Sequence, residues 1–318
     1  MEILSSSPFS VRLFDPAQDF PALVELVNAI EAVDRSGEAT TEDQQRAQLS
    51  WPGRDLLRDR WVVTAAEQQD QLLGYGDSWK KPTTPTADIY VGVHPVYRCR
   101  GLGGELLRRI LVRAGEQCAA HVAVYADANN SSSQHFLRQR GFAVAGAYFE
   151  LHTSMPHVIE VPHWPAGYTL RRFSETPNLP GLVDTLNRSY GDRFGHKITT
   201  ETEIQRRLDL DPHSISNILL LFDAQEALIG VCRVHPTNNE QANQDSITGY
   251  LDGPGVVPTH RQEGLYRSLA LAGMQRLREL GQTQIVLESW GDEEHIISDY
   301  IELGFTCQRH FLAYRHSL

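Results

Sequence analysis

Apolar and polar residues in the first half of the chain follow two distinct spacings. Apolar residues recur at helical spacing from Phe20 to Ile30, and a second such stripe runs from Leu102 to Ala114. Short apolar runs bounded by glycine, proline or polar residues are typical of strands. These patterns predict helices over 20–30, 102–114 and 132–140, and strands over 11–14, 61–65, 71–75, 89–93, 121–125 and 144–151. The alternation predicts an α/β fold with a mixed sheet.

The second half of the chain repeats this order of elements. Its patterns predict strands over 218–222, 228–232, 249–257 and 284–287, and helices over 265–280 and 295–303. In both halves a strand leads through a glycine turn into a helix and then into another strand. That connection implies a parallel strand pair within each otherwise mixed sheet.

A repeat in the sequence itself accompanies the repeated order of elements. Residues 93–102 reappear as 256–265 with Val, Pro, Arg, Gly and Leu in register, and Gly141-Phe142 reappears as Gly304-Phe305. Both offsets are 163 residues. We therefore predict two domains of one architecture, at 1–155 and 166–318, joined by a proline-bearing linker at 156–165.

The first copy carries a glycine-rich turn between a strand and an amphipathic helix. It reads Arg98-Cys99-Arg100-Gly101-Leu102-Gly103-Gly104. Glycines let the backbone turn tightly and present the unpaired N–H groups of a helix start, which suit a phosphate or diphosphate, and the arginines add positive charge. A P-loop would need a lysine here, and a dinucleotide fingerprint would need a third glycine near Leu106. A plain helix start with solvated arginines stays open as the alternative.

Composition and charge narrow the class of protein. Hydrophobic residues make up 41% of the 318 residues and charged residues 22%, which is ordinary for a globular chain. The formal net charge of -11 disfavours nucleic acid as a partner. No apolar run approaches the roughly 20 residues that span a bilayer, and the first residues do not resemble a signal peptide. We therefore expect no membrane association.

Cysteine and histidine spacing add two further expectations. Cys99, Cys118, Cys232 and Cys307 stand singly, which fits a reducing compartment, and we expect a cytoplasmic protein. His152, His157 and His163 lack the spacing of metal ligands, so no metal site is predicted.

Together these residues resemble the GNAT acyltransferase superfamily, whose signature is Arg/Gln-x-x-Gly-x-Gly/Ala after a Val-x-Pro strand, with a later Asn and Gly-Phe. Arg98, Gly101 and Gly103 match the first part, and Asn130, Phe136, Gly141 and Phe142 match most of the second. The resemblance covers both copies and implies a tandem GNAT protein, with a splayed parallel strand pair in each domain. It implies acetyl-CoA or another acyl-CoA as co-substrate. The implied cofactor-binding residues are Val91, Val93, Arg98, Cys99, Arg100, Gly101, Leu102, Gly103, Gly104 and Asn130.

The two copies differ where the family's chemistry would occur. In the family, a tyrosine protonates the leaving thiolate. The resemblance places Leu137 at that position in the first copy and Tyr300 in the second. In the second turn Tyr266 replaces a small residue and Glu263 brings negative charge, while Glu293 replaces the asparagine. We therefore expect the first copy to bind acyl-CoA.

Amine acylation needs a base, donors for the developing oxyanion and an acid. In the first copy we predict Asp88 as the base, the Val93 N–H as an oxyanion donor and Tyr125 as the substitute acid. An exposed strand-end carboxylate and a core aromatic are the alternative roles of these two side chains. In the second copy Tyr300 is the candidate acid, with Asp252 as its base. No nucleophile motif is present, so direct transfer is expected.

We therefore predict an acyl-CoA-dependent N-acyltransferase, an acetyltransferase acting on the amine of a small molecule, as a monomer or homodimer. A non-catalytic acyl-CoA-binding or sensing protein is the first alternative. Catalysis in the C-terminal copy, with the N-terminal copy structural, is the second. The resemblance implies that the variable segment near residues 31–60 sets the acceptor.

Overall fold

The protein is described here from a computed structural model. The structure describes residues 8–49, 54–55, 57–66, 68–82, 84–196, 198–237 and 247–318. The chain divides into two compact units. Unit 1 comprises Met1–Ala145 together with Leu312–Leu318, and unit 2 comprises Gly146–Phe311.

The sheet of unit 1 runs in the order β1 to β5, followed by the final residues of the last strand, β13. All pairings from β1 to β4 are antiparallel, and β4 pairs with β5 in parallel, as the sequence predicts. The strands are β1 (Phe9–Leu13), β2 (Arg60–Ala65), β3 (Gln68–Lys80), β4 (Thr86–Val93), β5 (His121–Asp127) and β13 (Thr306–Ser317).

Helices pack on both faces of this sheet because successive strand residues point to opposite faces. Val62 on β2 packs in one apolar cluster with Leu26, whereas its neighbour Val63 packs in another with Leu106. The helices of unit 1 are α1 (Phe20–Asp34), α2 (Glu42–Leu49), α3 (Leu102–Glu116) and α4 (Ser131–Arg138). The predicted α1, α3 and α4 are confirmed, and α2, which lacks an apolar stripe, was not predicted.

The parallel pair β4–β5 separates partway along its length. The paired positions run from Thr86–His121 to Asp88–Ala123. Beyond Asp88, β4 continues to Val93 in register with β3. One edge of β4 is therefore open over its last residues, all of which the structure describes.

Unit 2 has the same parallel-pair architecture. Its sheet order is β6-β12-β10-β9-β8-β7, with β10 and β12 parallel and β11 paired to β9. The strands are β6 (Ala143–Ser154), β7 (Thr169–Arg172), β8 (Ile218–Phe222), β9 (Leu228–His235), β10 (Thr248–Asp252), β11 (Gly255–Val256) and β12 (Gln284–Trp290). The helices are α5 (Leu179–Tyr190), α6 (Glu201–Leu210), α7 (Leu265–Glu279) and α8 (Glu294–Glu302).

The single strand predicted over 249–257 is interrupted in the structure. β10 ends at Asp252 and β11 begins at Gly255. Pro254 stands between them, and a proline cannot donate a ladder hydrogen bond. The prediction from apolar residues alone did not take Pro254 into account, so it missed the interruption.

The compact units do not coincide with the predicted domains at 1–155 and 166–318. The strand predicted to close the first copy, β6, pairs with β12 from Tyr148–Trp290 to Ser154–Gln284, within unit 2. Conversely, Tyr314 on β13 is fully buried in a core cluster of unit 1 with Phe142. The predicted linker at 156–165 forms no helix or strand, and it packs on α7 through Ser268, whose hydroxyl donates to the His163 carbonyl at 2.6 Å.

Among the described residues, no helix combines the length and the apolar character that crossing a membrane requires.

Candidate active site

The turn that enters α3 has the backbone geometry that its glycines predict. Gly101 adopts φ +84° and forms the N-cap of α3, and Cys99 is also left-handed at φ +61°. No side chain caps this helix start in the described structure. The first N–H groups of an α-helix have no partner within the helix, and the helix dipole makes them attractive to an anion. The turn, called the cradle below, therefore presents backbone N–H groups of the kind that suit an anion.

Space above the turn comes from Gly103 and Gly104. A Cβ atom at Gly103 would lie 3.5 Å from the Phe136 ring, and one at Gly104 would lie 3.4 Å from Arg140 Nη2. The protein itself would accept an alanine at Gly103, because 3.5 Å is an ordinary contact. A larger side chain at Gly103 would press on the Phe136 ring and on Val93 Cγ2, which lies 3.6 Å from the Cβ position. Leu102, between Gly101 and Gly103, is buried.

Arg140 is a residue of the cradle that the sequence analysis missed. Its guanidinium lies 3.8 Å from the centroid of the Phe136 ring, and Nη1 donates to the Phe136 carbonyl at 3.0 Å. These contacts hold Nη2 beside the first turn of α3. The sequence feature that could have indicated Arg140 is its position directly before the Gly141-Phe142 pair.

Arg98 does not supply the free positive charge that the sequence predicts. Its two Nη atoms donate to the Asp34 carboxylate at 2.8 and 2.7 Å, and Nε donates to the Val93 carbonyl at 3.2 Å. A bidentate pair of this kind leaves little charge for a phosphate. Arg98 instead fixes the end of β4 to the end of α1. Arg100 is exposed, with its guanidinium 5.2 Å from the Tyr97 ring centroid.

The open edge of β4 presents the backbone of Val91 and Val93. The His94 N–H donates to the Leu73 carbonyl on β3 at 2.8 Å. Because successive amides on a strand point to opposite edges, the Val93 and Val91 N–H groups face the edge from which β5 has separated. Both side chains are half-buried. The predicted oxyanion donor thus lies at the gap between the two strands.

Asp88 and Tyr125 lie at the base of this gap. Asp88 occupies the last paired position of β4 with β5, and Tyr125 follows two residues after its partner Ala123. Burial, and then the nearby Asp88 carboxylate, raise the pKa of Tyr125 to about 12. The phenol therefore carries its proton at neutral pH, as an acid must. The predicted Asn130 caps α4 by accepting the Ser133 N–H at 3.0 Å.

A cavity of about 540 Å³ opens beside these strands in unit 1. Asp88 lines it, as do the stacked rings of Tyr75 and Tyr90, whose centroids are 4.8 Å apart. Arg60 also lines the cavity, and its Nε donates to Asp77 Oδ2 at 3.0 Å. The sequence analysis did not find this Arg–Asp pair, because the two residues are 17 positions apart and meet only when β2 pairs with β3.

The equivalent turn of unit 2 is occupied by protein side chains. Gly264 is left-handed at φ +67°, like Gly101, but the second residue of α7 is Tyr266, which is only 2% exposed. Arg193 Nη2 donates to the Tyr266 hydroxyl at 3.1 Å and pairs with the Asp292 carboxylate at 2.5 Å. The carboxylate of Glu263, on the turn itself, accepts a hydrogen bond from Tyr168 at 2.8 Å.

Tyr300, the predicted acid of the second copy, is completely buried, and its hydroxyl has no hydrogen-bond partner among the described residues. Burial raises its pKa well above the usual value. Asp252 lines a separate cavity of about 510 Å³ in unit 2. Burial would raise the pKa of Asp252, but Arg233, with Nη2 at 2.8 Å, and His235 lower it overall. Asp252 therefore faces a cavity, whereas Tyr300 is buried in the core and does not line that cavity.

Comparisons with known proteins agree with this architecture. Residues 24–142 match the model of the Acetyltransferase (GNAT) family, which spans the segment from α1 to Phe142. A mycothiol acetyltransferase of Rhodococcus jostii is 27% identical over 296 residues, covering 91% of this chain and 91% of the relative.

Two solved structures share the fold over nearly the whole chain. A GCN5-related N-acetyltransferase from Sphaerobacter thermophilus superposes with a TM-score of 0.74 at 19% identity, covering 98% of this chain and 96% of the other. A tandem GNAT protein from the clavulanic acid biosynthesis pathway gives a TM-score of 0.63 at 16% identity, covering 97% and 98%. The mixed α/β fold predicted from the sequence is confirmed. The match of residues 24–142 to the Acetyltransferase (GNAT) family and the relatives named acetyltransferase support an enzyme.

Proposed function

We propose that this enzyme transfers an acetyl group from acetyl-CoA to the amine of a small molecule, and that both binding and chemistry take place in unit 1. The single observation that carries the proposal is the helix start at Gly103, which bears no side chain, compared with the buried Tyr266 at the matching position of unit 2. The repeated left-handed glycine at the start of α3 and α7 further supports two GNAT domains in tandem.

The residues of unit 1 fit an acyl-CoA. Its diphosphate would be held by the N–H groups of the α3 start, with Arg100 and Arg140 as the cationic side chains beside them. Its pantetheine amides would pair with the open edge of β4 at Val91 and Val93. Acyl-CoA would supply the activated thioester. The gap that opens between β4 and β5 beyond Asp88 is where that thioester and an amine would meet.

Three groups of the chain then act on the reacting atoms. Asp88 accepts the proton of the attacking ammonium, directly or through water, because a free amine is mostly protonated near neutral pH. The Val93 N–H donates to the carbonyl oxygen as negative charge develops there. As the C–N bond forms and the C–S bond breaks, Tyr125 donates its proton to the leaving sulfur, since its raised pKa keeps the phenol neutral. The second proton of the amine nitrogen then returns to the phenolate.

The acceptor amine defines the finer part of the proposal. The acidic Asp88 and Glu38 line the unit 1 cavity and favour a cationic amine. Relatives named mycothiol acetyltransferase place mycothiol-related compounds in the panel of amines to be tested.

The test is calorimetric titration of the full chain with acetyl-CoA, together with turnover over an amine panel. Gly103→Tyr recreates in unit 1 the side chain of unit 2, and we expect it to weaken acetyl-CoA binding by at least about 100-fold, since the ligand would have to displace a packed ring. Gly115→Tyr is the matched control. It lies on the same helix, and nothing stands within 4 Å of its Cβ position.

Each outcome separates the alternatives. Undiminished binding by Gly103→Tyr contradicts the proposed site. Tight binding by the wild-type chain without transfer to any amine favours an acyl-CoA-sensing role. Tyr300→Phe leaves turnover intact if unit 1 is catalytic and abolishes it if the C-terminal copy does the chemistry.

A further inference from the structure

One end of the unit 1 cavity holds two arginines around a single carboxylate. Arg54 Nη1 donates to both Asp77 oxygens, at 3.0 and 2.7 Å. Arg60 donates to Asp77 Oδ2 through Nε at 3.0 Å and through Nη2 at 2.6 Å. Only 8% of the Asp77 side chain is exposed, against 11% for Arg54 and 4% for Arg60. This end of the cavity therefore carries one positive charge in excess.

The excess charge belongs to Arg54. Every nitrogen of the Arg60 guanidinium is engaged, because Nη1 also contacts Gln45 Oε1 at 3.4 Å. Within the part of the chain that the structure describes, Arg54 donates hydrogen bonds through Nη1, and its buried Nε has no hydrogen-bond partner. Among the described residues, Arg54 Nη2 likewise donates no hydrogen bond. The Trp79 ring, 5.4 Å from the guanidinium carbon, helps to hold it in place.

The unused Nε and Nη2 atoms form one edge of the guanidinium. That edge presents two parallel N–H groups whose spacing matches the two oxygens of a carboxylate. Leaving the buried Nε and a surplus charge unmatched is unfavourable. A singly charged carboxylate would balance the charge and accept both hydrogen bonds, whereas a phosphate monoester would bring a second negative charge.

The acidic part of the same cavity lies close to this edge along the sheet. On the paired strands β3 and β4, Asp77 is opposite Tyr90 and Trp79 is opposite Asp88. Opposed residues share a face of the sheet, so the Asp77 cluster and Asp88 lie two register positions apart on one face. The cavity thus offers a site for an anion and, a short distance away, the carboxylate that the proposed reaction uses.

We propose that the acceptor is an amine that also carries a carboxylate, and that Arg54 binds this carboxylate while the amine lies at Asp88. Arg54 is then a specificity-determining residue of unit 1. The inference rests on the proposed function for the identity of the reacting amine.

The experiment compares linear ω-amino acids of increasing length with their carboxamides as acceptors of the wild-type enzyme. We expect kcat/KM for the acids to exceed that for the matched amides by at least about tenfold, because a neutral amide leaves the positive charge of Arg54 unbalanced. In Arg54→Gln the preference disappears, chiefly through a raised KM of the acids. Arg58→Gln, an exposed arginine nearby in the sequence, keeps the preference.

A second variant guards against a merely structural effect of Arg54. Arg54→Lys keeps the charge and removes the two-donor edge, so we expect it to restore part of the preference while its thermal unfolding matches that of the wild type. Equal use of acids and amides by the wild-type enzyme would overturn the inference and leave the proposed function standing. So would a stronger preference for aminoalkyl phosphonates.

Direct binding keeps the two proposals separable. Saturation-transfer NMR with 6-aminohexanoate and its amide reports on the cavity without turnover. If no amine is acetylated and acetyl-CoA does not bind, the proposed function fails. Loss of the 6-aminohexanoate signal in Arg54→Gln would still support a carboxylate site, and an unchanged signal would contradict it.

Discussion

Gly103 and Tyr266 are each the second residue of the helix that follows a left-handed glycine, at Gly101 and Gly264. Gly103 bears no side chain, and a Cβ there would only touch Phe136 and Val93, whereas the Tyr266 side chain is buried and accepts a hydrogen bond from Arg193. One residue position is therefore part of the cradle in unit 1 and part of the packed core in unit 2.

The first prediction concerns the core role of Tyr266. Tyr266→Ala should lower the free energy of unfolding of unit 2 by about 3–5 kcal/mol, since it leaves a cavity the size of an aromatic ring. Urea unfolding measures the change. Tyr250→Ala, at a tyrosine that is 41% exposed, should cost less than about 1 kcal/mol. Equal losses in the two variants would contradict the packing described for Tyr266.

The second prediction concerns Arg140 at the cradle. Arg140→Gln should weaken acetyl-CoA binding by about tenfold, the usual scale of one lost hydrogen bond to a charged group. The loss should shrink as salt is added, because the interaction is screened. Arg138→Gln is the matched control, because Arg138 lies on the same helix end with its guanidinium 5.9 Å from the Tyr314 ring centroid. If both variants bind acetyl-CoA like the wild type, Arg140 has no role in the cradle.

The third prediction concerns proton transfer by Tyr125. Tyr125→Phe should lower kcat by about 100-fold, the usual contribution of a general acid, and leave acetyl-CoA affinity unchanged. In an alkaline absorbance titration, the wild-type minus variant difference should show one phenol ionising near pH 12. Because the unfolded phenol ionises near pH 10, this residue lowers stability as pH rises from about 10 to 12. An unchanged kcat would assign the acid elsewhere.

The fourth prediction concerns the last residues of β13. Tyr314→Ala should destabilise unit 1 by about 3–5 kcal/mol, since a fully buried aromatic ring is lost from its core. Hydrogen exchange should then rise in peptides of β5 and α4. Tyr314→Phe should be nearly neutral, because the hydroxyl makes no hydrogen bond within the described part of the chain. Arg315→Ala changes an exposed neighbour and should have little effect.

Local patterns in the sequence predicted the elements that position the site. The apolar stripe of α3 and the glycines before it lie close together in the sequence. The helix and the tight turn that leads into it could therefore be predicted from local residues alone. The parallel pairing of β4 with β5 followed from the strand–helix–strand order.

Contacts between distant residues could not be predicted from these patterns. Arg98 pairs with Asp34, which is 64 residues away, so the loss of its charge to the cradle was invisible in the motif. Arg54 and Asp77 are 23 residues apart and meet only when β3 is formed. The partner of a strand is equally hidden, because an alternating pattern fixes which face is buried and says nothing of which edge is shared.

The position of residues 312–318 in unit 1 has a consequence for the order of folding during synthesis. Met1–Ala145 is synthesised first, yet Tyr314 and its neighbours are made only after the whole of Gly146–Phe311. The core cluster around Phe142 therefore lacks the Tyr314 ring until Gly146–Phe311 has been made. Nascent chains stalled before Tyr314 are the state in which chaperones would be most needed.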